Sequence, residues 1–97
     1  KLLKINEVLH GVTSEIDTFE SQDILFKGIE KPIQIGHYHS WVIDPNNVGK
    51  ELVVTSTSKH LIMSISHKKL DIKGIQFHPE SILSPKGERM IKNWLNL

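Results

Sequence analysis

The sequence predicts an α/β chain in which strands outnumber helices, with a β-hairpin near its middle and a helix at its end. Three observations predict it. Residues 33–42 alternate with the period of a strand: Ile33, Ile35, His37 and His39 against Gln34, Gly36, Tyr38 and Ser40. Two β-prone runs, 51–57 and 61–67, flank Ser58, Lys59 and His60, which is hairpin spacing. Beyond Ser84 and Pro85, residues Met90, Ile91, Trp94 and Leu95 fall on one helical face. Several strands and only two helices do not complete an α/β sandwich, because a parallel sheet needs helices on both faces. The chain is therefore expected to be part of a larger domain.

Taken in order, residues 2–9 are apolar enough for a first strand, and 10–17 follow as a polar loop in which Gly11 and Ser14 favour turns. Ser21 is placed to N-cap a short helix over 22–27, with Ile24 and Leu25 buried and Gly28 as its stop. Pro32 restarts the extended run. Asp44, Pro45, Asn46, Asn47 and Gly49 make a dense turn cluster ahead of the hairpin. Residues 70–77 read as one more strand. Its apolar positions are 70 and 72, then 75 and 77, so the phase slips at Lys73-Gly74, where a bulge fits. Ser84 is the expected N-cap of the last helix and Pro85 its first residue. The third helical position is Gly87, so the acid of a capping box is missing.

Composition narrows the function. Hydrophobic residues make up 38% of the 97 and charged residues 24%, a globular balance. Twelve Lys and Arg against eleven Asp and Glu leave a net charge of +1, which offers nucleic acid or an anionic membrane no electrostatic hold. With no cysteine, this stretch has no disulfide, no cysteine-based zinc site and no cysteine nucleophile. No apolar run nears the roughly 18 residues a membrane span needs. No secretory signal is read at the start, and Lys1 opens on what resembles the middle of a fold, so an excerpt is expected.

The most informative stretch is residues 74–81, Gly-Ile-Gln-Phe-His-Pro-Glu-Ser. Open α/β sheets carry their chemistry beyond the carboxyl ends of strands. Pro79 drives His78 into an extended conformation, and in extended chain residues i and i+2 project to the same side. His78 and Glu80 can therefore converge, as the base and the orienting carboxylate of a nucleophilic triad do. The alternative is a turn histidine beside a solvated glutamate. The second cluster is His37-Tyr38-His39-Ser40-Trp41. His-x-His on a strand can hold a metal, but no Cys, Asp or Glu stands beside it, and the plainer reading is a polar strand end with packed aromatics. His10, His60 and His67 read as loop or hairpin residues, Lys68-Lys69 as a solvated turn, and Trp94 and Met90 as core.

Residues 74–81 resemble the C-terminal signature of the class I (triad) glutamine amidotransferases, and Tyr38-His39-Ser40 resembles a second signature of that family. Leu9-His10-Gly11 with Thr13-Ser14, and Ser81-Ile82-Leu83, are similar to one branch, the glutaminase subunits of anthranilate and aminodeoxychorismate synthases. Val12 stands where that loop usually has Lys, and Trp41 where the branch usually has Leu. The resemblance covers essentially all 97 residues. It implies the C-terminal half of a single open mixed-sheet, flavodoxin-like α/β domain, whose other half carries the nucleophilic Cys. It implies His78 and Glu80 as catalytic residues, and Ser40 and Trp41 as glutamine-binding positions acting partly through backbone groups. It further implies L-glutamine as substrate, ammonia delivered to a chorismate-using synthase subunit, no cofactor or metal for the glutaminase step, no nucleic-acid or membrane partner, and a cytoplasmic heteromer. By itself this half is expected to be inactive. A non-catalytic regulatory or binding subunit of the same fold, or another amidotransferase branch, remains the alternative.

Overall fold

A computed structural model describes residues 2–20 and 22–96, with the backbone alone for residues 5–10 and 40. Among the described residues the strands are β1 Leu2–Glu15, β2 Thr18–Phe19, β3 Gln34–Ile43, β4 Leu52–Ser58, β5 Leu61–His67 and β6 Lys73–Ile75. One helix, α1, covers Gly87–Leu95, and a single 3₁₀ turn, Ile24–Phe26, lies between β2 and β3. β1 and β3 form a two-stranded ribbon, and the rest form a four-stranded sheet in the order β2-β4-β5-β6. Each ladder is antiparallel.

Residues 10–15, expected as a loop, continue β1 instead. Val12 to Glu15 pair with His37 to Gln34. The alternating β3 offers a ladder long enough to hold them, and Gly11, at φ 67°, is the one extra residue between His10 and Val12. A left-handed glycine lets a strand bulge by one residue and then resume pairing. A larger lapse lies further along the ribbon. Lys4 pairs with Trp41 and Leu9 with His39, so residues 5–8 stand opposite Ser40 alone.

The short helix expected over 22–27 is only the 3₁₀ turn. Ser21, its expected cap, lies outside the described residues. Asp23 caps the turn, its Oδ1 accepting from Leu25 N at 3.0 Å, and Lys73 Nζ lies 2.7 Å from the same oxygen. Leu25 is buried as expected and Phe26 joins it, whereas Ile24 is exposed. Gly28, at φ 73°, ends the turn as expected. The hairpin forms with Ser58 inside β4, leaving Lys59 and His60 as a two-residue turn at φ 51° and 67°. Two left-handed residues give the turn the twist of the strands it joins. Asp17 Oδ2 accepts from Lys59 N at 2.6 Å and braces it.

The strand expected at 70–77 shortens to β6. Its register with β5 is continuous, from Ser66↔Lys73 to Ser64↔Ile75, so the bulge expected at Lys73-Gly74 is not formed. The chain must reverse after β5, and the reversal takes up residues 68–72. His67 Nδ1 accepts from Lys69 N and Leu70 N to hold it, and Leu70 and Ile72 are left exposed. The core lies between the ribbon, the sheet and α1, around Leu25, Phe26, Ile33, Ile35, Met63 and Met90.

α1 starts later than the Ser84-Pro85 signal suggests. Its N-cap is Lys86, with no side-chain capping bond. The buried line of the helix is Gly87, Met90 and Asn93, so that Met90 alone of the expected apolar face is fully buried. Ile91 is half-buried, while Trp94 is 40% and Leu95 55% exposed. Asn93 is buried because its Nδ2 donates to the carbonyls of Leu25 and Lys27 at 3.0 and 2.8 Å, tying α1 to the 3₁₀ turn. Gly87 is buried because the Pro79 backbone passes over it.

A Cβ at position 87 would lie 1.9 Å from Pro79 O. Gly→Ala in a helix ordinarily stabilises by roughly 0.5–1 kcal/mol. Here the backbone clash dominates, and Gly87→Ala should lose about 1–3 kcal/mol, the usual penalty for overpacking. Urea or thermal unfolding of the protein carrying this chain reads the change. An unchanged or raised midpoint would mean that the Pro79 segment yields freely.

Candidate functional site

The His78 segment is built against β3 by backbone bonds. His78 N donates to Gly36 O at 3.0 Å. Gly36 N donates to Ser84 Oγ at 2.8 Å, and that hydroxyl donates onward to His78 O at 2.7 Å. Ser84 is therefore a buried bridge rather than a helix cap: its oxygen accepts from Gly36 N, and α1 begins only at Gly87, with Lys86 as its N-cap. Gly36 is required by closeness, since a Cβ there would meet Leu83 Cβ at 2.8 Å.

On this frame His78 and Glu80 converge as expected, but across a turn rather than along extended chain, since Ser81 N donates back to His78 O at 3.2 Å. Nδ1 of His78 lies 3.1 Å from Glu80 Oε2. Their side chains are 43% and 70% exposed, so the imidazole has one nitrogen directed at a carboxylate and a face open for chemistry. The Tyr38 ring stands edge-on to His78, centroids 5.0 Å apart at 83°. A carboxylate on Nδ1 fixes the tautomer that leaves Nε2 free to accept a proton, and it stabilises the charged ring that results.

The other predicted positions follow along β3. Ser40 lies in the strand, and its side chain is outside the described residues. Trp41 is 52% exposed, so it is not a core residue, and its carbonyl receives a hydrogen bond from His39 Nδ1 at 3.1 Å. His37 and His39 bond to each other, Nδ1 to Nε2 at 2.8 Å, with rings 5.0 Å apart. His37 Nε2 is 2.5 Å from Ser14 Oγ. Among the described residues, no three His, Cys, Asp or Glu gather as a metal site would require. A cavity of about 260 Å³ opens beside this line, walled by Ser14, His37, Ser58, Lys59 and Leu61. The sequence placed Ser14 near a turn, Ser58 in the hairpin break and Ser84 at a helix start, but not in these bonds, because His37, Ser14 and Gly36 lie 23 to 48 residues from them.

A family model described as "Glutamine amidotransferase class-I" matches residues 1–97. The chain belongs to that family. It is 38% identical over 97 residues to aminodeoxychorismate synthase component 2 of Escherichia coli, a match covering 99% of this chain and 51% of that protein. It is 42% identical over 90 residues to anthranilate synthase component 2 of Mycobacterium tuberculosis, covering 92% of this chain and 38% of that one. The chain thus spans about half the length of the curated relatives it matches, or less. A solved structure of a putative GMP synthase subunit from Thermoplasma acidophilum superposes with a TM-score of 0.84 at 22% identity. That match covers 99% of this chain and 47% of the other, and it shows the shared α/β fold. The antiparallel sheets, hairpin and terminal helix are thus part of the flavodoxin-like architecture the sequence led us to expect.

In this amidotransferase chain the histidines of β3 are electrostatically unlike an ordinary surface histidine. His37 is 2% exposed. Burial first, then the nearby His39, Lys59 and His78, lower its pKa from 6.5 to about 4. His39 is also lowered, by burial and then by His78, against the opposing pull of the Trp41 carbonyl. Both rings are therefore neutral at pH 7.

These pKa values make folding sensitive to acid. The unfolded chain protonates His37 near pH 6.5, whereas the folded chain resists until about 4. Stability is full above pH 6.5, falls as the pH drops through that value, and stops falling from this source below about 4. Between pH 7 and 5 the loss from His37 should be about 2 kcal/mol, since each full pH step inside this window costs about 1.4 kcal/mol. Urea unfolding at the two pH values should show it, and His37→Gln should flatten the difference. An equal fall in the variant would assign the acid sensitivity to other groups.

Proposed function

We propose that the protein carrying this chain hydrolyses glutamine and delivers the ammonia to a chorismate-using synthase subunit, for anthranilate or aminodeoxychorismate formation. The chain supplies the C-terminal part of a single amidotransferase domain. The observation that carries the reading is the His78–Glu80 pair at 3.1 Å, at the open end of a strand-built frame in a chain of this family. The relatives named as components 2 of the two synthases support the branch. The whole protein works in the cytoplasm, as one subunit of a heteromer.

The nucleophile is a Cys contributed from outside residues 1–97, so these residues by themselves release no ammonia. His78 Nε2 accepts the thiol proton, and the thiolate attacks the side-chain amide of glutamine. The protonated ring then gives its proton to the departing ammonia, leaving a thioester. His78 next takes a proton from water, whose oxygen attacks the thioester and releases glutamate. Glu80 holds the ring through Nδ1 and favours its charged form in both half-reactions. The proton transfers are all made by the imidazole, and the glutaminase step uses no cofactor or metal. Ser40 and Trp41, at the end of β3, hold glutamine partly through backbone groups, which a change of side chain to Trp at position 41 leaves in place.

His78→Asn should abolish glutamine-supported synthesis, by at least the roughly 10²–10⁴-fold that a general base contributes. Ammonia-supported synthesis should survive, because the synthase site is on another chain. Glu80→Gln should be milder, and the double variant little worse than His78→Asn, since groups acting as a unit are not additive. The ratio of glutamine- to ammonia-supported rates is the measurement. An equal fall in both rates for His78→Asn would make His78 structural and reject the mechanism.

A further inference from the structure

The mechanism leaves unused a line of side chains that crosses the β1–β3 ribbon. It runs from Ser58 Oγ to Ser14 Oγ at 2.9 Å, from Ser14 to His37 Nε2 at 2.5 Å, and from His37 Nδ1 to His39 Nε2 at 2.8 Å. It ends on the Trp41 carbonyl, 3.1 Å from His39 Nδ1. A carbonyl oxygen only accepts, so His39 carries its proton on Nδ1. In a neutral ring Nε2 is then a bare acceptor, and His37 Nδ1–H must donate to it. His37 Nε2 is bare in turn and takes the hydroxyl proton of Ser14, while the single proton of Ser58 is shared between Ser14 Oγ and the Glu15 carbonyl. From Ser14 to the Trp41 carbonyl every donor points the same way, and each ring has one defined tautomer. A proton added to His39 would set N–H against N–H across the 2.8 Å contact. One added to His37 Nε2 would turn Ser14 from donor to acceptor and reverse the line at that point.

We propose that His37 and His39 are positioning residues which, as neutral rings, fix the Ser40–Trp41 backbone for substrate glutamine. The proposal rests on the glutaminase reading above. The ribbon itself cannot hold that backbone in the regular way, because four residues of β1, 5–8, stand opposite Ser40 alone. The side-chain line anchors the strand end where the ladder lapses. The groups facing the two rings keep them uncharged. Lys59 comes from the β4–β5 turn and His78 from the segment after β6, while Tyr38, between the two histidines on β3, packs against His78. The line thus borders the proposed base without including it.

The test uses the full-length protein with its synthase partner. His39→Phe deletes the donor to the Trp41 carbonyl, and His39→Asn restores an N–H close to the place of Nδ1. Loss of one such bond should raise the KM for glutamine about two- to tenfold, with kcat and the ammonia-supported rate retained. His39→Asn should return KM close to the parental value. An unchanged KM in His39→Phe overturns the proposal while leaving the glutaminase reading intact. Absence of glutamine turnover in the unsubstituted protein overturns that reading first, and this one with it. A second measurement needs no variant to fold. Nitrogen-15 spectra of the unsubstituted protein at pH 7 should show both rings protonated on Nδ1 and bare on Nε2. An Nε2–H tautomer or a charged ring at either position overturns the proposal.

Discussion

Three hydrogen bonds around Gly36 hold the site to the fold. The peptide groups of Gly36 and His78 are joined once directly and once through the Ser84 hydroxyl. β3 carries His37, Tyr38, His39, Ser40 and Trp41, and the segment after β6 carries His78 and Glu80. Without this clamp the two groups would belong to separate pieces of chain, Ser40 and His78 being 38 positions apart. Its tightness follows from the absent Cβ. Leu83 sits where one would be, so the segments approach to backbone-bonding distance. Such bonds, buried away from water, are individually modest but costly to leave unmade.

The same clamp sorts three histidines into different environments. His78 is half-open and faces a carboxylate, as the proposed base should. His37 is buried, beside another imidazole and near a lysine, which suits a group that must stay neutral. His39 stands between them and hands the polarity of the line to the Trp41 carbonyl. Identical side chains thus meet distinct environments, and for His37 and His39 burial and neighbouring charge favour the neutral ring.

The helix is fitted to the site in a comparable way. Gly87 lets the Pro79 backbone pass directly over the start of α1, and Asn93 anchors the far end to the 3₁₀ turn. Pro79, between the two proposed catalytic residues, is therefore held by a helix whose buried line begins with a glycine and ends with an asparagine. Large apolar side chains remain open to solvent elsewhere, Ile82 at 93% and Leu70 at 58% among them. The described residues alone do not bury these groups, and the relatives named above are about twice the length of the chain or more.

Much of this was legible in the chain because it is written in local geometry. Alternation in 33–42, a short polar break between β-prone runs, and the i, i+2 relation of His78 and Glu80 across Pro79 each depend on a few adjacent residues. Local backbone preference therefore determines them. What local preference could not determine was set by competition among distant partners. Residues 10–15 became strand because β3 offered a ladder and Gly11 a bulge. Residues 70–72 lost their strand because the chain had to reverse after β5. Ser84 gave up its cap because Gly36 and His78 claimed its hydroxyl, and Trp94 lost its place in the core to Asn93, which had carbonyls to satisfy. The neutral line from Ser58 to Trp41 is the extreme case, since β4, β1 and β3 meet in it only after folding. The sequence by itself determined the hairpin, the strand that carries the site and the His-Pro-Glu pair. The tertiary structure decided which polar groups find each other, because a hydrogen bond between residues far apart in the chain exists only once packing has brought them together.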